Sequence, residues 1–198
     1  MNDLRRILVL YAHPNPEQSR LQKLLHAAIQ DLEGVKIHDL YRLYPHHYID
    51  VRTEQLSLQQ ADLIVFQYPL YWYSCPALLK EWQDTVLQQG FAYGPGGDAL
   101  HGKDFLQVLS IGAQTMAWER QGSQRFSLSE LLRPFEATAW LCGLHAHRPL
   151  LMQGNAGRTE EVLQAQAQQY RQLLVEYRQK GPEALRILND AAKDSTHD

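Results

Sequence analysis

The feature that most constrains the fold is an alternation of short apolar runs with segments of helical periodicity. Residues 6–12 and 62–69 are nearly continuous runs of strand-forming residues, as in strands covered on both faces. Residues 105–112 and 147–152 repeat this character, and residues 35–40 alternate apolar and polar side chains like a half-exposed edge strand. Helical spacing separates these runs. The alternation predicts an α/β fold with a doubly wound, mainly parallel five-stranded sheet and helices on both faces.

The chain shows one domain and no linker. Ser127 and Glu130 form a capping-box motif that opens a helix running to about residue 142. A length of 198 residues suits one well-buried core and is short for two. We therefore expect a single domain over residues 1–181 and a partly disordered C-terminal tail over residues 182–198.

Composition and charge argue against several classes of protein. The net charge is -3 and the Lys and Arg residues are scattered among acids, so we expect no nucleic-acid partner. There is no secretory signal, and the longest apolar runs are far shorter than the roughly 20 residues that cross a bilayer, which predicts a cytoplasmic protein. Cys75 and Cys142 lack metal-ligand spacing, so we expect no metal site, and Cys75 is either a reactive thiol or a buried packing residue.

Ligands of doubly wound sheets bind beyond the carboxyl ends of the strands, where the strand order reverses. The loops to inspect are therefore residues 13–22, 69–75 and 110–118. The first of them leads into a helix N-terminus, where free N–H groups and the helix dipole favour an anion. Ser19 is a hydroxyl donor to a phosphate, a helix cap, or both at once. His13 is either a ligand donor or a partner in a local loop hydrogen bond.

The other two loops suit a planar ligand. Tyr71, Trp72 and Tyr73 follow the third strand, and three consecutive aromatic residues there suit a wall against a flat conjugated ring. A hydrophobic cluster that covers the loop is the other interpretation. After the fourth strand, the small-residue turn at residues 110–113 lets backbone approach a ligand closely.

At these loops the sequence resembles the NAD(P)H:quinone oxidoreductase family with a flavodoxin-like fold. The matching segments are residues 10–14, 61–67, 68–82, 90–94 and 132–136, and the likeness covers about residues 5 to 178. Within that family the chain looks most similar to the bacterial ancillary subunits of glutathione-gated potassium efflux systems, with which it shares a stretch from Asp39 to Asp50.

The resemblance implies a flavodoxin-like sheet with strand order 2-1-3-4-5, and a flavin, FMN with FAD as the alternative. It implies NAD(P)H as co-substrate, two-electron reduction of quinones, and a homodimer. The alternative role is that of a regulatory subunit activating a potassium efflux transporter, held peripherally at the cytoplasmic face of the inner membrane. The flavin-binding residues that it implies are His13, Ser19, Arg20, Leu21, Gln22, Leu70, Tyr71, Trp72, Tyr73, Ser110, Ile111, Gly112 and Ala113.

Two departures from the family pattern concern the turn after the fourth strand. The family often has Thr-Thr-Gly-Gly where this chain has Ser-Ile-Gly-Ala at residues 110–113. Animal members place a tyrosine and a histidine soon after that turn, whereas Trp118 and Gln124 fall at about those places here. We therefore assign no catalytic acid–base residue from the sequence.

Overall fold

The fold is seen in a computed structural model that describes residues 4–112, 118, 122–154 and 157–190. The strands are β1 (Ile7–Tyr11), β2 (Val35–Asp39), β3 (Leu63–Pro69), β4 (Asp104–Ile111), β5 (His145–Ala146) and β6 (Leu150–Gln153). The helices are α1 (Arg20–Ile29), α2 (Leu40–Leu43), α3 (Val51–Gln60), α4 (Ala77–Val86), α5 (Leu128–Leu131), α6 (Arg133–Leu141), α7 (Glu160–Lys180) and α8 (Arg186–Asp190). Short 3-10 turns cover Pro16–Gln18 and Gly181–Leu185.

The sheet is parallel throughout its described pairings, and its order β2-β1-β3-β4-β5 confirms the predicted flavodoxin-like order. A sixth strand is the one difference. Where the sequence predicted a single fifth strand over residues 147–152, β5 pairs with the start of β4 and β6 pairs with its end. Pro149 lies between the two pieces, and its lack of an N–H group prevents a continuous ladder.

Helices cover both faces of the sheet, so alternate residues of each strand enter different cores. On one face, α1 and α7 pack against Ile7 and Val9 of β1. On the other face, Leu8 and Leu10 of the same strand pack with residues of α2, α3, α4, α5 and α6. All five residues of β1 are buried, which explains why this strand reads as a continuous apolar run.

Caps and prolines set the ends of the helices. Ser127 and Glu130 make the reciprocal capping box that the sequence predicted. The helix that follows is shorter than expected, because α5 ends at Leu131 and α6 begins at Arg133. Pro134 stands in the first turn of α6, where its missing N–H group is tolerated, whereas in the interior of one long helix it would remove a hydrogen bond.

Part of the expected tail is packed. Gly181 ends α7 at φ 69°, a left-handed conformation that glycine adopts without a Cβ clash. Ala184 and Leu185 are then buried against the α1–α7 face. The domain boundary at residue 181 stays a prediction, and residues 191–198 lie outside the described part of the chain. No helix within that part combines the length and apolar character needed to cross a bilayer.

Candidate functional site

A cleft of about 510 Å³ opens at the carboxyl edge of the sheet. The loop between β1 and α1 forms one side, and the ends of β3 and β4 form the floor and the opposite side. Its volume lies within the roughly 300–1,000 Å³ range of small-molecule sites. The three loops that the sequence singled out therefore meet around one cavity, where the topology of a doubly wound sheet places ligands.

His13 lies at the end of β1 with only 3% of its surface exposed. The Asn15 N–H group donates to its Nδ1 at 3.1 Å, so the local loop hydrogen bond is present. An Nδ1 that accepts leaves the proton on Nε2, which lies 3.4 Å from the Tyr71 hydroxyl oxygen. Burial lowers the pKa of His13, so the ring is neutral near pH 7 and faces the cleft as a hydrogen-bond donor.

Ser19 caps α1, since its Oγ accepts from the Gln22 N–H group at 3.2 Å. Among the described residues, the N–H groups of Arg20 and Leu21 have no hydrogen-bond acceptor, as expected for the first turn of a helix. The Arg20 guanidinium reaches across to Glu160 of α7 at 2.7 Å. Ser19, Arg20 and Leu21 all line the cleft, so the positive end of the helix dipole faces it.

Unlike Ser19, Arg20 and Leu21, Gln22 does not line the cleft. Its side chain is fully buried, and it does not complete a capping box with Ser19. Instead its Nε2 donates to Ser110 Oγ at 2.9 Å, and its Oε1 accepts from Gln67 Nε2 at 3.0 Å. The side chain therefore connects α1 to β3 and β4 beneath the cleft.

The aromatic residues after β3 form a tight two-residue turn. Tyr71 and Ser74 exchange backbone hydrogen bonds, and Trp72 and Tyr73 between them have φ of 46° and 65°. Two consecutive left-handed residues are typical of a type I′ turn, which favours Asn and Gly and disfavours aromatic side chains. Backbone strain of this kind occurs at functional sites more often than elsewhere.

The turn divides the predicted aromatic wall. Leu70 and Tyr71 line the cleft. The Trp72 side chain is 92% exposed and lies outside the residues that line it. The Tyr73 hydroxyl donates to Gln124 Oε1 at 3.2 Å, and its ring meets the Trp118 ring edge-on at 6.1 Å. Trp118 and Gln124, which the sequence comparison put at about the places of the animal members' tyrosine and histidine, thus both contact Tyr73.

The end of β4 contributes backbone as well as side chains. Ser110, Ile111 and Gly112 line the cleft, and the Leu70 N–H group donates to the Ser110 carbonyl oxygen at 2.9 Å. A Cβ built on Gly112 would meet no atom of the described residues within 4 Å, so no described side chain covers this backbone. Ala113, also expected to bind the ligand, lies outside the described residues.

Five lining residues were missed by the sequence reasoning: Asn15, Gln18, Pro69, Gly154 and Leu163. Three of them belong to loops that had been inspected. Gly154 follows β6, whose carboxyl end lies at the same edge of the sheet, and inspecting the loop after the fifth predicted strand would have found it. Leu163 lies in α7, and its helical spacing indicates only a core residue.

Cysteine and metal chemistry find little support in the described residues. Burial raises the pKa of the Cys75 thiol, which favours the uncharged thiol and hence a packing role. Within the same part of the chain, no group of three or more His, Cys, Asp or Glu side chains is placed to hold a metal ion.

Comparison with known families agrees with this geometry. Residues 5–174 match the profile of a family described as having a flavodoxin-like fold. The chain belongs to this flavodoxin-like family. The match spans all the segments that line the cleft.

Similar proteins within the flavodoxin-like family include ancillary and redox proteins. The glutathione-regulated potassium-efflux system ancillary protein KefG of Pectobacterium atrosepticum is 45% identical over 170 residues, which cover 86% of this chain and 93% of KefG. General stress protein 14 of Treponema denticola, solved in complex with FMN, is 35% identical with a TM-score of 0.82 and covers 86% and 98% of the two chains. An NADPH-quinone reductase of P. pentosaceus is 34% identical with a TM-score of 0.78 and covers 88% and 98%.

Proposed function

We propose that this protein is a flavin-dependent NAD(P)H:quinone oxidoreductase that binds FMN in the cleft at the carboxyl edge. The observation that carries the proposal is the joining of an anion-binding helix N-terminus and an apolar strand-end wall within one cavity. The similarity to general stress protein 14, which was solved in complex with FMN, and to a protein named NADPH-quinone reductase supports it.

The residues present fit the two ends of FMN. The phosphate would be held by the Arg20 and Leu21 N–H groups and the Ser19 hydroxyl, helped by the charge of Arg20. The ring would lie against Leu70, Tyr71 and the end of β4, where exposed backbone can approach its polar edge. FAD would need further room for its adenylate, which makes FMN the better fit to a cleft of about 510 Å³.

When bound, FMN would supply hydride chemistry that links oxidation of NAD(P)H to the two-electron, two-proton reduction of a quinone to its hydroquinone, with the second proton coming from solvent. The protein's part is to hold and orient the reactants and to keep the ring's inner face from water. The neutral His13 accepts the Asn15 N–H group at Nδ1, which leaves its Nε2–H group as a donor at the strand end. Because donor and acceptor would use the same open side of the cleft in turn, we expect ping-pong kinetics.

The first test is whether the purified protein is yellow and releases FMN on denaturation. When apo-protein is titrated with FMN, the FMN fluorescence should be quenched until the binding site is saturated. FAD should bind more weakly. NADH and NADPH are then compared as donors with a soluble benzoquinone as acceptor. A preparation that is colourless and binds neither FMN nor FAD would refute the proposal.

A second role, as a regulatory subunit of a potassium efflux transporter, is favoured by the 45% identity to KefG. In that role flavin occupancy would matter more than turnover. Co-purification with a potassium efflux transporter, together with potassium efflux that depends on this protein, would support the role. Efflux unchanged by deletion of this chain would argue against it, whatever its quinone turnover.

We also infer a homodimer from the exposed aromatic residues beside the cleft. Trp72 is 92% exposed and adjoins Tyr71 at the cleft rim, so a second copy would cover apolar surface next to the site. Light scattering on the flavin-loaded protein tests this. A monomeric mass at micromolar concentration would contradict it.

A further inference from the structure

We propose that the buried side chains of Gln22 and Gln67 position the Ser110 hydroxyl so that it donates a hydrogen bond into the cleft, to the bound flavin. The inference rests on the proposed flavin binding. It gives Gln22 a role separate from the anion site in which the sequence pattern placed it, and it gives Gln67, a residue of β3 absent from the predicted site, a role for the first time.

The three side chains form one continuous chain of hydrogen bonds between α1 and the sheet. Gln67 Nε2 donates to Gln22 Oε1 at 3.0 Å, and Gln22 Nε2 donates to Ser110 Oγ at 2.9 Å. Both glutamines are 0% exposed, whereas Ser110 lines the cleft. These hydrogen bonds therefore lead from the core to the ligand site, and we call the three side chains the Gln67–Gln22–Ser110 relay.

The direction of these bonds decides what Ser110 offers to a ligand. A serine hydroxyl has one proton to donate and two lone pairs that accept. Because Gln22 donates to Ser110 Oγ, the Ser110 proton is not used in that bond. The Ser110 carbonyl oxygen is already occupied by the Leu70 N–H group. The hydroxyl proton is thus available to an acceptor atom in the cleft.

Gln67 fixes this direction. In the observed arrangement Gln67 Oε1 is buried without a donor among the described residues. Turning both amides over would leave the Gln67 NH2 group without an acceptor and would make Ser110 donate to Gln22 instead. Buried N–H groups without acceptors are rarer in proteins than undersupplied carbonyl oxygens, which favours the observed direction. Gln22 and Gln67 are accordingly positioning residues that act through Ser110.

A double-mutant cycle tests the coupling. Gln22→Met keeps the length of the side chain and removes its donor, and Ser110→Ala removes the hydroxyl. We expect each single variant to bind FMN about five- to tenfold more weakly, the effect of one hydrogen bond. Because Gln22 acts through Ser110, the double variant should bind as Ser110→Ala does. Ser110→Thr, which retains a hydroxyl, should stay within about twofold of the wild type.

A second measurement separates positioning from general packing. The visible absorption bands and the midpoint potential of bound FMN should shift in the same direction in Gln22→Met and Ser110→Ala, with no further shift in the double variant. If Gln22→Met fails to fold, Gln67→Met breaks the relay one bond earlier. It should give a smaller loss of affinity that also disappears in the Ser110→Ala background.

The outcomes distinguish the two proposals. Wild-type protein that binds neither flavin contradicts the proposed function and the relay with it. Wild-type protein that binds FMN, with additive losses in the double variant, contradicts the relay alone. The same holds if Gln22→Met lowers the melting temperature while leaving FMN affinity, spectrum and potential unchanged.

Discussion

Buried polar side chains at the two edges of the parallel sheet differ in whether they have hydrogen-bond partners within the fold. At the amino-terminal edge, Asp104 accepts hydrogen bonds from His147 at 2.7 Å and from the Tyr177 hydroxyl at 2.6 Å. Lys103 nearby donates to two carbonyl oxygens at 2.8 and 2.7 Å. At the carboxyl edge, the Tyr11 hydroxyl and Gln67 Oε1 are buried without a partner among the described residues.

This difference separates structural polar groups from ligand-binding ones. Groups that the fold uses for its own stability are satisfied by other groups of the fold. At the other edge a hydroxyl and an amide oxygen without partners among the described residues lie close to free helix N–H groups and left-handed aromatic residues, where a ligand can complete the hydrogen bonds that the protein leaves open. Mutations at the first edge should therefore change stability, and mutations at the second should change ligand binding.

The largest effect is expected for Asp104→Ala. It leaves the Tyr177 hydroxyl and His147 without their shared acceptor, and we expect a loss of about 3 kcal/mol in the free energy of unfolding, since two hydrogen bonds to a charged carboxylate are lost. Urea denaturation measures it. FMN affinity of the folded protein should stay within about twofold, since Asp104 lies at the edge opposite the cleft. A large loss of FMN affinity in the folded variant would contradict the idea that one edge determines stability and the other ligand binding.

Acid should remove the same stabilisation. Burial by itself would raise the pKa of Asp104, but the hydrogen bonds from His147 and Tyr177 outweigh it and hold the pKa below its usual value. A carboxyl group with a lowered folded-state pKa stabilises the protein above its unfolded pKa of about 3.9 and loses that contribution as the pH falls through the folded value. The stability difference between wild type and Asp104→Ala should thus be full at pH 6 and shrink below about pH 4. A difference that is the same at pH 6 and pH 3 would contradict this assignment.

Ser19→Asp comes next and tests the carboxyl edge. Aspartate caps helices as well as serine does, so the free energy of unfolding should change by less than about 0.5 kcal/mol. Its charge would oppose the phosphate, and we expect FMN to bind about 10- to 100-fold more weakly. Ser19→Asn is the matched control, because asparagine caps equally well without a charge. Equal FMN affinity for the aspartate and asparagine variants would show that the phosphate does not bind at this helix end.

The smallest effect is expected for Trp72→Gly. Glycine adopts φ near 46° without steric cost, so the variant, compared with the wild type at concentrations where both are monomeric, should gain up to about 1 kcal/mol in the free energy of unfolding, despite the greater flexibility of its unfolded chain. FMN binding should weaken as the turn beside Tyr71 loosens. Thermal denaturation and FMN titration measure the two changes, and Trp72→Asn serves as a left-handed-tolerant control. If the variant has a lower free energy of unfolding, the contacts of the exposed indole stabilise the protein more than the left-handed turn conformation destabilises it.

Much of the fold was predictable because its signals are local. Continuous apolar runs gave β1, β3 and β4, and the alternating pattern of residues 35–40 gave the edge strand β2. Two of the differences also have local causes, since Pro134 and Pro149 each interrupt an element that periodicity alone would continue. Proline position outweighs hydrophobic pattern at such points.

The site was predictable as three loops but not as a set of contacts. Topology brings the ends of β1, β3 and β4 together, so His13, Tyr71 and Ser110 were expected near one another. The outward direction of Trp72 depends on a turn type that aromatic residues rarely adopt. The side chain of Gln22 depends on partners 45 and 88 residues away, and no local motif carries that information.

The central position of β1 has a consequence for how the chain acquires its structure. This strand pairs with β2 on one side and β3 on the other, and both pairings are parallel, so each needs a crossover segment. During synthesis the first strand therefore emerges with neither neighbour available, and it gains its second only after residue 69 has left the ribosome. Until then the edge of the strand that pairs with β3 has no partner in the chain and is open to chaperones and to other nascent chains.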